Sequence, residues 1–270
     1  MDVHRTKSAF SGPVGRLRSI VQRAIDLLVC IILWCAALVA AQAVREVFVF
    51  VPGFVPLAGE SPEGFFTFVG SASGLAVMAV LLATGAGSIS ARAAARRLVD
   101  GVGLRLAGTV RQGLRWMAVG LAAAVVLAAV AELVVSLPGL SSVRVAEDPR
   151  YVALAQTPNL IRFCYGLIAP APLEELLFRG PLLAMWLALL TSQSRGGWAS
   201  RRWVRWWLMA PAIAVSVIVF ASLHTMGGSA NVAHAAVNGL ITAAVTLWQR
   251  SLFPALTAHG LYDAYAFTWP

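Results

Sequence analysis

Long apolar segments recur along this sequence and constrain its fold more than any other feature. About 20 predominantly apolar residues carry an α-helix across a bilayer. Seven segments approach or exceed that length: 26–44, 65–90, 116–136, 158–192, 206–224, 231–249 and 252–269. Lipid offers no partners to backbone N–H and C=O groups, so helices are the expected structure. The sequence therefore predicts an all-α, polytopic transmembrane helical bundle with about seven spans.

The composition is that of a membrane protein. Of the 270 residues, 59% are hydrophobic and only 12% are charged, and the mean hydropathy is +0.77. A soluble domain carries about a quarter charged residues. The formal net charge of +9 would suggest nucleic-acid binding in a soluble protein. Here the positive charge lies mostly between apolar segments, which indicates orientation in a lipid bilayer and no nucleic-acid partner.

The connections between the apolar segments alternate between basic and non-basic. Arginine dominates the N-terminal tail and residues 91–115 and 195–205, whereas residues 45–63 are acidic and residues 225–230 carry no charge. Lys and Arg accumulate in the cytoplasmic connections of membrane proteins. A multi-pass protein of the cell membrane, with seven spans and a cytoplasmic N-terminus, satisfies this pattern.

The segment 158–192 needs an interpretation of its own. It is too long for one straight span, and Pro170 and Pro172 interrupt it. A re-entrant piece or an eighth span is the alternative to a single crossing. The two prolines are also expected to begin a helix, which would place Glu174 and Glu175 in its first turn, near unpaired backbone amides.

Ionisable residues within the apolar segments are concentrated in the second part of the chain. Such a residue costs roughly 3 kcal/mol at the bilayer centre on insertion scales, so it usually marks a functional site. The set comprises Glu174, Glu175, Arg179, His224, His259 and Asp263, with His234 as a further candidate. This asymmetry predicts N-terminal transmembrane helices at residues 1–150 and a core with a polar interior site at residues 151–270.

Helical spacing sorts these residues. Glu175 and Arg179 are four apart with the acid first, the favoured order for a helical ion pair, and are predicted to stabilise their helix by neutralising one another. Glu174 is turned by about 100° from Glu175 and is left free to act. His259 shares a helix face with Asp263. His234, at the start of a span, is predicted to make either a helix-start or an interhelical polar contact.

These residue types can activate water. A carboxylate can act as a general base, a histidine can hold the water or donate a proton, and further polar groups can face a developing oxyanion. His224, His259 and Asp263 could instead bind a divalent metal such as zinc, although the sequence has no HExxH helix. We favour the metal-free site slightly, because no two histidines share one helix at ligand spacing.

Three motifs in order carry a resemblance to a known family. EELLFR at 174–179, FASLH at 220–224 and HGLYD at 259–263 resemble the CPBP family. That family contains type II CAAX prenyl endopeptidases and bacteriocin-processing or self-immunity (Abi-like) proteins. Its pattern is EExxxR, FxxxH and Hxxx(Asn/Asp) on successive transmembrane helices. The resemblance covers about residues 160–265.

The resemblance implies a role for each matching residue. Glu174 would be the base that activates water, His224 would assist at the water, and His259 with Asp263 would line the oxyanion side. The ion pair would keep its structural role. Asp263 stands where the eukaryotic prenyl proteases carry Asn, and an ionised Asp cannot donate a hydrogen bond to an oxyanion. Asp263 is therefore protonated, orients His259 or binds a metal.

The predicted function is that of an intramembrane endopeptidase, which uses glutamate-activated water to hydrolyse a peptide bond of a membrane-associated protein or peptide. The competing class is a non-enzymatic membrane immunity or scaffold protein of the same fold. A proton-coupled transporter is less favoured, because the sequence shows no inverted repeat. The Arg-rich, Lys-poor, Ala-rich composition is typical of a high-GC bacterium, in which prenylated substrates are not expected.

Overall fold

The computed structural model describes residues 108–140, 155–193 and 202–269, together with residues 51–53 and the single positions 21, 39, 43 and 47. Every regular element in these residues is helical. In chain order the elements are α1 (Val110–Ser136), α2 (Asn159–Ile168), α3 (Pro170–Phe178), α4 (Gly180–Gln193), α5 (Arg202–Ser222), a 3-10 turn (Thr225–Gly227), α6 (Gly228–Gln249) and α7 (Phe253–Thr268). The all-α prediction is confirmed for this part of the chain.

Three of these helices, α1, α5 and α6, are long and apolar enough to cross a membrane. They correspond to the predicted spans 116–136, 206–224 and 231–249, so the protein is a membrane protein with helical spans. The last predicted span is the 16-residue helix α7. The predicted spans 26–44 and 65–90 lie outside the residues that the structure describes.

The long segment 158–192 is divided into three consecutive helices, α2, α3 and α4. The first division falls at Pro170, whose ring nitrogen cannot donate to the preceding turn. Because α3 begins at Pro170, Pro172 also lies in its first turn, where amide protons have no intrahelical acceptors. No acidic residue lies in that turn. The prediction that Glu174 and Glu175 occupy the first turn is therefore wrong, and both lie in the second.

Helix α1 has one apolar face exposed and one packed. Val110, Leu114 and Leu121 are exposed, as expected for side chains that face lipid. On the other side, Ala123 and Leu127 pack with Ala258 of α7 in one apolar cluster. This cluster holds α1 against the helix that carries the third sequence motif.

Helices α2 and α7 approach one another through two glycines. A Cβ added to Gly166 would lie 2.6 Å from the backbone nitrogen of Ala264, and one added to Gly260 would overlap the carbonyl oxygen of Leu167. Small residues allow such close backbone contact between membrane helices. Gly260 directly follows His259, so this contact also fixes the position of the histidine.

Candidate active site

His259 lies among three carboxylates. Its Nδ1 is 2.8 Å from Glu175 Oε1, and its Nε2 is 3.6 Å from Glu174 Oε2 and 3.5 Å from Asp263 Oδ2. The side chain of His259 is 3% exposed, whereas that of Glu174 is 29% exposed. The structure thus brings α3 and α7 together around one buried imidazole ring, with Glu174 as its more accessible neighbour.

The two glutamates reach different nitrogens of this ring because they are consecutive in α3. Consecutive residues of an α-helix point about 100° apart. Glu175 is directed to Nδ1 and is fully buried, whereas Glu174 is directed to Nε2. On α7, Asp263 lies one turn after His259 and faces the same Nε2 atom. Nε2 is therefore the nitrogen of His259 that faces the more accessible carboxylate.

The partner of Nδ1 defines which side of the His259 ring carries a proton. An ionised carboxylate can only accept hydrogen bonds, so the ring N–H at Nδ1 donates to Glu175 Oε1. When Nε2 is also protonated, His259 is an imidazolium whose Nε2 lies at ion-pair distance from Glu174 and Asp263. This cation and the guanidinium of Arg179 are then the two positive groups beside the three carboxylates.

Glu175 also contacts Arg179 on the next turn. Arg179 Nε lies 3.4 Å from Glu175 Oε2, and both side chains are buried. The same Nε donates to Thr242 Oγ1 of α6 at 2.9 Å. The guanidinium carbon is 4.3 Å from the ring centroid of Phe220, and Gly239 leaves room beside it. Arg179 is thus enclosed by α3, α5 and α6.

Phe220 connects His224 to this cluster. Its ring centroid is 4.7 Å from that of His224 and 5.9 Å from that of His259. Nδ1 of His224 is 2.8 Å from the carbonyl oxygen of Phe220 and must donate to it, because a carbonyl oxygen only accepts. Asn231 donates to the carbonyl oxygen of His224 at 2.9 Å. Both the backbone and the ring of His224 are therefore held, with Nε2 left to face other groups.

His234 makes a contact between helices. Its ring centroid lies 4.6 Å from that of Tyr262 in α7, and the residue is 7% exposed. Of the two interpretations drawn from the sequence, the structure favours the interhelical contact. His234 thus packs α6 against the helix of His259 and Asp263.

Sequence reasoning missed two partners in the cluster. Helical spacing pairs Glu175 with Arg179 alone, but the carboxylate of Glu175 also bonds His259, 84 positions away. Thr242, which accepts from Arg179, was not singled out. For Phe220, the first residue of FASLH, the spacing of four to His224 was the available signal. No spacing pattern relates Thr242 to Arg179.

The proposed metal ligands do not form a metal site in the described part of the chain. Among those residues, no group of three or more His, Cys, Asp or Glu side chains is arranged to hold a metal ion. A catalytic zinc commonly takes three protein ligands at about 2.0–2.2 Å. His224, His259 and Asp263 are not arranged as such a group in this structure, and a zinc role for them stays a prediction.

Glu175→Gln is expected to destabilise the protein. The variant keeps the shape of the side chain but removes the negative charge beside buried Arg179. Removing one partner of a buried ion pair costs about 3–5 kcal/mol. Thermal unfolding in detergent measures the change, and Glu174→Gln is the matched control because the side chain of Glu174 is partly exposed. Equal destabilisation by both variants would contradict this difference between the two acids.

Comparison with known proteins identifies one family. Residues 156–265 match the family model described as type II CAAX prenyl endopeptidase Rce1-like. No curated protein and no solved structure matches the chain. The matched residues contain all three motifs and the whole cluster around His259. The match confirms the resemblance that the motifs carry, and the description of the family model is that of a prenyl endopeptidase.

Proposed function

We propose that this protein, whose residues 156–265 belong to a family of membrane proteases, is an intramembrane endopeptidase that hydrolyses a peptide bond with water activated by Glu174. The observation that carries the proposal is the meeting of Glu174 and Asp263 at Nε2 of His259. Residues 151–270 form the catalytic core in this proposal, and the substrate is a membrane protein or a membrane-associated peptide.

Glu174 and His224 supply the acceptors that a reacting water needs. Glu174 carries a partly exposed carboxylate. A neutral His224 whose Nδ1 donates to Phe220 keeps a lone pair on Nε2. We expect one water to donate to both groups. The general base then acts from a fixed position, which is the geometry that efficient proton transfer requires.

The reaction follows from these positions. Glu174 takes a proton from the water while the water oxygen forms a bond to the carbonyl carbon of the scissile peptide. The carbonyl electron pair moves onto its oxygen, and an imidazolium at His259 donates to that oxyanion through Nε2. When the carbonyl re-forms, the C–N bond breaks and the proton held by Glu174 passes to the leaving nitrogen.

Asp263 has the role of supporting His259 at Nε2, where its Oδ2 lies at 3.5 Å. We expect Asp263→Asn to keep the cleavage rate within about tenfold, because Asn fills the same space and can donate to the oxyanion. Asp263→Ala should lose about 10²-fold, because His259, the donor to the oxyanion, then lacks its support at Nε2. Cleavage rates of the purified variants provide the measurement. An Asn variant as slow as the Ala variant would show that the charge of Asp263 is required.

The test of the proposed function is a comparison of cellular peptides. Wild type and Glu174→Gln are expressed at equal membrane levels, and peptides from membranes and culture fluid are identified by mass spectrometry. New peptide ends are expected with the wild type only, and the uncut precursor should accumulate with the variant. The purified enzyme in detergent should then cut that precursor.

The same comparison of peptides distinguishes a peptidase from the competing class, a non-enzymatic immunity or scaffold protein. An immunity or scaffold protein acts without turnover, so Glu174→Gln would leave both the peptide profile and any protective phenotype unchanged. Identical profiles for the two proteins, at equal expression, would overturn the peptidase proposal in favour of that role.

A further inference from the structure

Arginine and tryptophan side chains mark one end of the helical bundle. We call Arg115, Trp203, Trp206, Trp207 and Trp248 the arginine–tryptophan rim. Arg115 of α1 lies over the ring of Trp248 at 5.8 Å, near the start of α1 and the end of α6. The three other tryptophans are in the first two turns of α5 and are exposed. Exposed Trp and Arg are typical of a membrane–water interface.

The candidate active site extends toward the other end of the bundle. Helix α6 has 22 residues and so is about 33 Å long, close to the thickness of a bilayer core. Trp248 is near its end, whereas His224 lies in the turn just before its start. His224 is therefore separated from the rim by nearly the full length of α6.

The course of helix α7 also places the active site away from the rim. Phe253, its first residue, stacks on Trp116 of α1 at 5.7 Å, beside the rim residue Arg115. His259 lies further along α7, and Asp263 is one turn further still from the rim. The active-site groups are thus arranged from the middle of the bundle toward the turn that holds His224.

The interrupted segment α2–α4 crosses the bundle once. Near its start, Tyr165 contacts Phe267 at the end of α7, with ring centroids 5.8 Å apart. Near its end, Trp186 contacts the rim residue Trp206 at 5.4 Å. The prolines therefore bend a segment that crosses the bundle once, and no re-entrant piece is needed. A single crossing is also consistent with the ends of the bundle at which α1, α5 and α6 begin.

Charge distinguishes the two ends. The sequence that leads into the rim ends of α1 and α5, residues 91–115 and 195–205, is rich in arginine, and Arg250 follows α6. By contrast, residues 225–230 between α5 and α6 carry no charge, and the sequence between α1 and α2, residues 137–158, holds as many acidic as basic residues. Cytoplasmic connections are the ones enriched in Lys and Arg.

We propose that the rim lies at the cytoplasmic interface and that the active site opens on the extracytoplasmic side of the membrane. Its substrates are then exported or membrane-anchored peptides whose scissile bond lies near that outer surface. The substrate class rests on the proposed peptidase function, whereas the orientation rests only on charge and position.

Cysteine labelling tests the orientation without any need for activity. Cys30, Cys35 and Cys164 are replaced by Ala, and one new cysteine is introduced by Thr225→Cys, beside His224, or by Trp207→Cys, in the rim. Both positions are exposed. A membrane-impermeant maleimide should label Thr225→Cys in intact cells, and Trp207→Cys only after permeabilisation. The reverse pattern, or equal labelling of both in intact cells, would overturn the proposal.

A reporter fused after Trp269 provides a second measurement. Because α7 ends away from the rim, alkaline phosphatase fused there should be active and green fluorescent protein should be dark. A fluorescent fusion with inactive phosphatase would overturn the orientation. The Glu174→Gln background should give the same labelling and reporter results. If labelling and reporters give the expected orientation but the wild type cuts no peptide, the peptidase proposal is overturned and the orientation stands.

Discussion

Replacing Glu174 with Gln is expected to lower the cleavage rate by about 10²-fold or more while leaving the protein folded. Gln has nearly the same shape but cannot accept a proton from water. The partly exposed side chain of Glu174 lies 3.6 Å from His259 Nε2, so the loss of its charge should disturb packing little. The measurement is the cleavage rate of the precursor identified in cells, with thermal unfolding recorded for the same preparation.

Glu132→Gln is the matched control for this variant. Glu132 is an exposed glutamate in the last turns of α1 and lies outside the three motifs. It should leave both the cleavage rate and the unfolding temperature unchanged. A Glu174→Gln enzyme that retains most of the wild-type rate would show that another group activates the water.

Gly260→Ala is expected to disturb the fold and the candidate active site together. Its Cβ would overlap the carbonyl oxygen of Leu167 in α2, a backbone atom that cannot turn away. Overpacking typically costs about 1–3 kcal/mol, occasionally more, and a backbone neighbour places this case at the upper end. Because Gly260 adjoins His259, the cleavage rate should fall as well. Unfolding temperature, membrane yield and cleavage rate are the three measurements.

Gly108→Ala serves as the control for Gly260→Ala. A Cβ at Gly108 would meet only the side-chain oxygen Gln112 Oε1 at 3.7 Å, an ordinary contact. This variant should behave as the wild type. Unchanged stability and activity in Gly260→Ala would mean that α2 and α7 can separate without affecting the site.

The sequence predicted those features that depend on one helix at a time. Hydropathy predicted α1, α5 and α6, and Pro170 predicted the division between α2 and α3. Spacing within a motif placed Asp263 on the face of His259. Such signals arise from local chain geometry, so they are visible without a tertiary structure.

Contacts between distant helices could not be predicted in this way. The bond from His259 to Glu175 joins residues 84 positions apart, and the bond from Arg179 to Thr242 joins residues 63 apart. Helical periodicity specifies which residues share a face, but not which other helix that face meets. The turn occupied by the glutamates was missed for a local reason, because either proline could have begun α3.

The order in which the chain is synthesised bears on how the charge of Glu175 is compensated during membrane insertion. A chain is made from its N-terminus, so α3 enters the membrane before His259, 84 residues later, has been synthesised. Arg179, only four residues after Glu175, is available at once. We expect this arginine to neutralise the buried acid during co-translational insertion, before α7 brings the histidine.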